Sequence, residues 1–229
     1  MKIEILDNAE HVAERAAEFI AAEANNAIAV RGQFLLAVSG GSTPWKMLRK
    51  LAGMELPWGN IHIFQVDERV APDGHPDRNL THLLQSLAHA AIPPGNIHPM
   101  PVEEADLQKS AKGYASLLEQ FAGKPAVFDL IHLGLGADGH CASLVPGDTV
   151  LHVQSADVAI AGPYQGRHRM TLTYPVINRA RRLLWVVTGE EKSEMLSRLV
   201  KGDRSIPAGC VEQTHATILT DLPAAQQIH

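Results

Sequence analysis

Apolar positions in this chain fall into short runs separated by longer segments of helical spacing. Lys2 to Leu6 alternates and predicts a first strand. Phe34 to Val38, Ile61 to Val66, Phe128 to Leu133 and Leu183 to Val187 are short, largely apolar runs, the pattern of buried strands. The segments between them predict helices. One is capped by Asp7 or Asn8 and runs to about Asn26, another covers Trp45 to Leu51, and another about Asn79 to Ala90. Ala105 to Phe121 places Leu107, Ala111, Tyr114, Leu117 and Leu118 on one face. Val158 to Ala161 is a short apolar run followed by a looser polar turn, and Arg169 to Thr173 leads into a helix from Tyr174 to Arg179. A last helix runs to about Val200, and a weak strand lies near Thr217 to Leu219. Strand and helix alternate throughout. The fold class expected is α/β, with a largely parallel, doubly wound Rossmann-like sheet and helices on both faces. No linker or repeat interrupts residues 1–229, which read as one domain.

Three of the predicted strands end in turns that could carry chemistry. The most informative is Leu133 to Gly147, LGLGADGHCASLVPG, where Asp138 and His140 sit among Gly134, Gly136 and Gly139. In an open α/β sheet, the loops at the carboxyl ends of strands are where ligands bind. A lone histidine more often bonds to its own loop, but two further loops of the same kind favour a functional one. Ser39-Gly40-Gly41-Ser42-Thr43-Pro44 leads from a strand into a helix N-terminus, and Pro44 suits the first turn. Backbone N–H groups there attract phosphate, the glycines allow close approach, and Ser42 and Thr43 add hydroxyls. The pattern is neither a Walker loop nor GxGxxG. Asp67-Glu68-Arg69 at another strand exit sets two carboxylates beside a guanidinium, and Arg169 and Lys192 could complete a phosphate clamp.

Composition narrows the partner. The hydrophobic fraction is 45% and the aromatic fraction only 5%, so the core is built mainly from Leu, Ile, Val and Ala. A formal charge of −5 gives no electrostatic reason to expect nucleic acid, and no apolar run approaches the ~18 residues of a membrane span. MKIEILDNAEH lacks the apolar core of a signal peptide, so a cytoplasmic protein is expected. Cys141 and Cys210 suggest neither a disulfide nor a zinc pattern, and the twelve histidines contain no HExxH or close cluster. No metal is expected. The oligomeric state stays open between a monomer and a small homo-oligomer.

SGGSTP, VDERV with HPDRN downstream, LGLGADGHCASLVPG, RMTLT and TGEEK occur in the order seen in 6-phosphogluconolactonases. The chain resembles that family from Phe34 to about Lys201, within a wider group that includes glucosamine-6-phosphate deaminase. The resemblance implies cofactor-free hydrolysis of 6-phospho-D-glucono-1,5-lactone to 6-phosphogluconate, a step of the oxidative pentose phosphate pathway. It makes His140 the catalytic histidine and Arg69 the active-site arginine. SGGSTP, Arg169 and Lys192 fall at the phosphate-side positions. Histidine can take a proton from water and return it to the leaving ring oxygen near neutrality. A covalent nucleophile is not required, and Cys141 beside His140 should point away.

Two positions depart from the family pattern. Arg78 replaces a common serine, with a possible effect at the mouth of the site, and Cys141 replaces a frequent threonine. Asp138, Asp67 and Glu68 all remain candidates to orient the imidazole. The rival readings are a glucosamine-6-phosphate deaminase-like isomerase and a non-catalytic sugar-phosphate sensor. Against the first, the deaminase loop continues Phe-Asn-x-Pro and carries a tyrosine in place of Arg69. Against the second, no DNA-binding helix-turn-helix is present.

Overall fold

The computed structural model describes residues 1–228. Its elements, in chain order, are β1 (Lys2–Leu6), α1 (Ala9–Arg31), β2 (Phe34–Val38), α2 (Ser42–Ala52), β3 (Ile61–Gln65), β4 (Asp67–Arg69), α3 (Asn79–Ser86) and β5 (Ile97–His98). Then follow α4 (Leu107–Ala122), β6 (Leu130–Leu133), β7 (Val158–Tyr164), β8 (Arg167–Leu172), α5 (Tyr174–Asn178), β9 (Leu183–Val187), α6 (Ser193–Val200) and β10 (Ala216–Asp221). Seven strands form a parallel sheet in the order β1-β10-β9-β6-β2-β3-β5. This is the doubly wound α/β sheet expected.

Strand β2 shows how both faces are covered. Its Phe34, Leu36 and Val38 pack with α1, α2 and α3, while Leu35 and Ala37 pack with α4, α5 and α6. The alternation follows the two-residue period of a strand. The chain builds outward from β2 to β3 and β5, then returns to lay β6 on the other side of β2 before adding β9 and β10. The order therefore reverses between β2 and β6, and the carboxyl ends of those strands open a crevice at the switch point.

Several boundaries differ from the sequence expectation. Helix α1 runs five residues past Asn26 because no breaker intervenes before Gly32, which stops it at φ 78°. Helix α3 ends at Ser86 rather than Ala90. The strand near Thr217 is not weak: β10 runs from Ala216 to Asp221 and pairs on both sides.

The larger correction is a second sheet, three antiparallel strands in the order β4-β8-β7. Asp67-Glu68-Arg69 is a strand of this sheet, not a loop. At Val66 the chain changes sheets: its N–H bonds Val38 O, while its carbonyl accepts from Leu172 N. No glycine or proline marks that change, so the residue pattern does not disclose it. Among the described residues no helix is long and apolar enough to cross a membrane.

Candidate active site

The carboxyl ends of β2, β6 and β9 and the face of the small sheet enclose a cavity of about 300 Å³. Ser39, Gly40, Gly41, Ser42, Thr43, Asp67, Arg69, His140, Arg169 and Lys192 all line it. Residues from five separate stretches of sequence thus meet at one place. Asn79, Gly136, Ala142, Thr188 and Glu191 also contribute to its wall.

His140 is fixed by its own loop. Gly136 N–H donates to His140 O (2.8 Å) and Gly139 N–H to Gly136 O (3.0 Å), closing a tight turn. A side chain at Gly136 would collide with the His140 ring and the Asp138 carboxylate. His140 Nδ1 lies 2.5 Å from Asp138 Oδ1, which leaves Nε2 as the free nitrogen of a ring lining the cavity. Tyr164 Oη donates to the other carboxylate oxygen at 3.0 Å. The Asp138 carboxyl is held below its usual range: partial burial opposes ionisation, and the His140 and Tyr164 hydrogen bonds outweigh it. Asp138 is therefore the carboxylate that orients the imidazole.

The other two carboxylates hold the scaffold. In β4, alternation turns Asp67 and Arg69 toward the cavity and Glu68 away from it. Asp67 Oδ2 accepts from Ser143 Oγ at 2.7 Å and Oδ1 from Asn79 Nδ2 at 3.4 Å, tying β4 to the His140 loop and to α3. Glu68 is wholly buried and accepts from Gln65 Nε2, Arg69 N, Asn79 N and Leu80 N, all within 2.8 Å. It thereby supplies acceptors to the otherwise uncapped start of α3. Arg78 is also buried. It forms an ion pair with Glu68 (3.3 Å) and donates to Ala71 O, so it braces the floor rather than the mouth expected for it.

Cationic groups and backbone donors face the remaining space. Arg69 and Arg169 are direct cross-strand partners in β4 and β8. Arg69 Nη1 donates to Asp77 O and Arg169 Nη2 to Gln165 Oε1, and the Nε of each is buried without a partner. Burial, above all, holds the Arg169 guanidinium below its usual range. Arg169 also stacks over the Tyr164 ring, 4.9 Å from its centroid.

Across the cavity, α2 begins at Ser42 with Gly41 at φ 136° and no side-chain cap. Its first amides are free to meet an anion. Gly40 has no room for a side chain because Asn79 lies against it. Thr43 Oγ1 and Thr188 Oγ1 lie 2.7 Å apart. Ser39 lines the cavity, but its hydroxyl donates to His132 O and its N–H to His132 Nδ1, so it locks β2 to β6. The Cys141 thiol is buried and pushed well above its usual range by that burial, leaving it protonated. Among the described residues, no group of three or more His, Cys, Asp or Glu side chains could hold a metal ion.

The family model described as glucosamine-6-phosphate isomerases/6-phosphogluconolactonase matches residues 7–220. The chain belongs to this family. It is 40% identical over 203 residues to a 6-phosphogluconolactonase of Synechocystis sp., covering 86% of this chain and 84% of that one. A 6-phosphogluconolactonase of Mycobacterium bovis is 31% identical over 242 residues, covering 99% and 98%. Among solved structures, a 6-phosphogluconolactonase from Thermotoga maritima superposes with a TM-score of 0.86 at 27% identity, covering 96% of this chain and 98% of that one. The cavity of this family member thus gathers the glycine turns and basic residues singled out in its sequence. Asn79 and Thr188 lie within HPDRN and TGEEK but carried no assigned role, and Tyr164, which bonds Asp138 beside the cavity, lies in none of those motifs.

Proposed function

We propose that the chain is a lactonase that hydrolyses 6-phospho-D-glucono-1,5-lactone to 6-phosphogluconate, the step expected in the oxidative pentose phosphate pathway. The observation that carries this reading is the Asp138–His140 pair beside two guanidiniums that form no ion pair among the described residues. With Nδ1 engaged by Asp138, Nε2 takes a proton from water as its oxygen attacks the lactone carbonyl carbon. Negative charge then grows on the carbonyl oxygen, where Arg69 and Arg169 supply donors. Collapse of the tetrahedral species breaks the bond to the ring oxygen, and the His140 imidazolium returns the proton to it. Asp138 stabilises the imidazolium in between.

The phosphate sits, in this reading, at the other pole of the cavity. The free amides of Gly41, Ser42 and Thr43, together with Lys192, receive it. This moves Arg169 from the phosphate side, where sequence resemblance puts it, to the reacting end beside Arg69. The register of β4 with β8 supports that move. The activity belongs to one sugar-phosphate-binding domain, with a small molecule as partner, no cofactor, and the cytoplasm as its place.

Acid production from freshly prepared lactone tests the reading. Turnover above the spontaneous rate supports it. Release of ammonia from glucosamine 6-phosphate without lactone hydrolysis would transfer the chain to the deaminase side of the family.

A further inference from the structure

The side chain that joins the two halves of the reacting end comes from outside every glycine-rich loop. Tyr164 lies at the tip of the β7–β8 hairpin. Between Ala161 and Tyr164 the register advances three residues on β7 against two on β8, so β7 carries one extra residue there. Such a bulge re-aims the side chains that follow it. Gly162 (φ 94°) allows the bend, having no space for a side chain against Tyr164 N and Arg167 O, and its N–H is anchored by Asp148 Oδ2 at 2.7 Å. The result is a half-buried tyrosine with two contacts of different kinds. Its hydroxyl donates to Asp138, and its ring lies edge-on to His140 (5.5 Å) and under the Arg169 guanidinium (4.9 Å).

We propose that Tyr164 is a positioning residue that sets the strength of the base through Asp138 and holds Arg169 against the reacting end. The inference deepens the lactonase reading and rests on it for the identity of the reaction. The hydroxyl shares the Asp138 charge that would otherwise fall wholly on His140, and so moderates how strongly the imidazolium is favoured. The ring acts separately: among the described residues Arg169 forms no ion pair, and the cation–π contact adds to its Gln165 hydrogen bond in restraining it. Other charged groups share this space: Asp67 and Arg69 from β4, Arg169 from β8, and Glu191 and Lys192 from the turn after β9. Ile206 and Met195, which cover Gly139 from behind, are uncharged.

Two variants separate the contributions. Tyr164→Phe removes the hydroxyl and keeps the ring, while Tyr164→Leu removes both. The imidazole titration of His140, read by nitrogen NMR without substrate and identified by its loss in His140→Ala, should move upward in both variants. Affinity for 6-phosphogluconate should stay within about twofold of wild type in the phenylalanine variant and weaken about fivefold in the leucine variant. A His140 titration unchanged in Tyr164→Phe would overturn the inference. So would product affinity in Tyr164→Leu equal to that of wild type. Because the titration needs no turnover, a protein that hydrolyses no lactone would remove the proposed reaction and leave the measured effect of Tyr164 on His140 standing.

Discussion

Arg69 and Arg169 stand directly opposite one another across the antiparallel pair of β4 and β8, and both face the cavity. Like charges placed so cost a strand pair about 0.2–1 kcal/mol. In the proposed reading that cost is tolerated because charge develops on the lactone carbonyl oxygen beside them. Arg69→Met and Arg169→Met should therefore leave the melting temperature unchanged or slightly raised while turnover falls by about 10²–10³. Calorimetry and lactone assays on one preparation measure both. Lost stability with turnover per folded molecule intact would make the arginines structural.

The two poles of the cavity are separable with inorganic phosphate as probe. Lys192→Ala should weaken both phosphate and 6-phosphogluconate, since one charge-assisted contact contributes about 1.5–3 kcal/mol. Arg169→Ala should weaken 6-phosphogluconate and leave inorganic phosphate nearly unchanged. Calorimetric titration of both ligands checks it, and equal losses for both ligands in Arg169→Ala would put the phosphate among the arginines.

Glu68 offers the opposite contrast to its neighbours in β4. It lies outside the cavity and pairs with a buried Arg78. Glu68→Gln should cost about 1–3 kcal/mol of stability, since it removes the buried one of the two carboxylates paired with Arg78, Glu103 being the other, and weakens the acceptors at the start of α3. Activity per folded molecule should hardly change. A urea melt combined with an active-site titration decides between stability and catalysis.

Acid should loosen the strand ends that carry the site. His132 is fully buried, and burial depresses its pKa to about 3. Its Nδ1 accepts from Ser39 N–H, so protonation there would also break one of the two Ser39–His132 hydrogen bonds between β2 and β6. The unfolded chain binds this proton near pH 6.5 and the folded chain does not. Stability is therefore full above that pH and falls as pH drops toward 3, with a slope of up to ~1.4 kcal/mol per pH unit from this residue. Urea midpoints from pH 7 to 4 measure the slope, and His132→Asn should reduce it. An identical slope in that variant would clear His132 of the effect.

Much of this site is legible in the sequence because its chemistry sits at the ends of apolar runs. Phe34 to Val38 and Leu183 to Val187 are wholly buried strands, and each feeds a glycine turn at the crevice. What the sequence hides comes from pairings with no local signal. Strand β4 follows β3 across the single residue Val66, so DER reads as a loop and its two carboxylates read as equivalent. Taken as a strand, its alternation separates Asp67 from Glu68. Tyr164 reaches Asp138 across 26 residues of sequence, from a hairpin whose Gly-Pro pair suggests an irregular turn. Arg78 reads as a mouth residue because nothing in its neighbourhood announces that Glu68 lies beneath it.

The His140 loop depends on an absent side chain. Gly136→Ala would force its new methyl group against the imidazole and the Asp138 carboxylate. A displacement of about 1 Å at a reacting group can cost roughly 10²-fold in rate, so turnover should fall by that order in a protein that still folds. Product affinity should change far less. Near wild-type kcat in this variant would show that the loop accommodates the methyl group elsewhere.

The lactonase mechanism turns on His140, held by Asp138, activating the water that opens the ring. Acid production from freshly prepared 6-phospho-D-glucono-1,5-lactone should be compared for wild type, His140→Ala and Asp138→Asn, with 6-phosphogluconate affinity determined in parallel. The expected outcome is rapid turnover by wild type, a loss of about 10²–10⁴-fold in kcat for His140→Ala, a smaller loss for Asp138→Asn, and near-normal product binding in both. A folded His140→Ala protein that still turns over the lactone at close to the wild-type rate would contradict this mechanism.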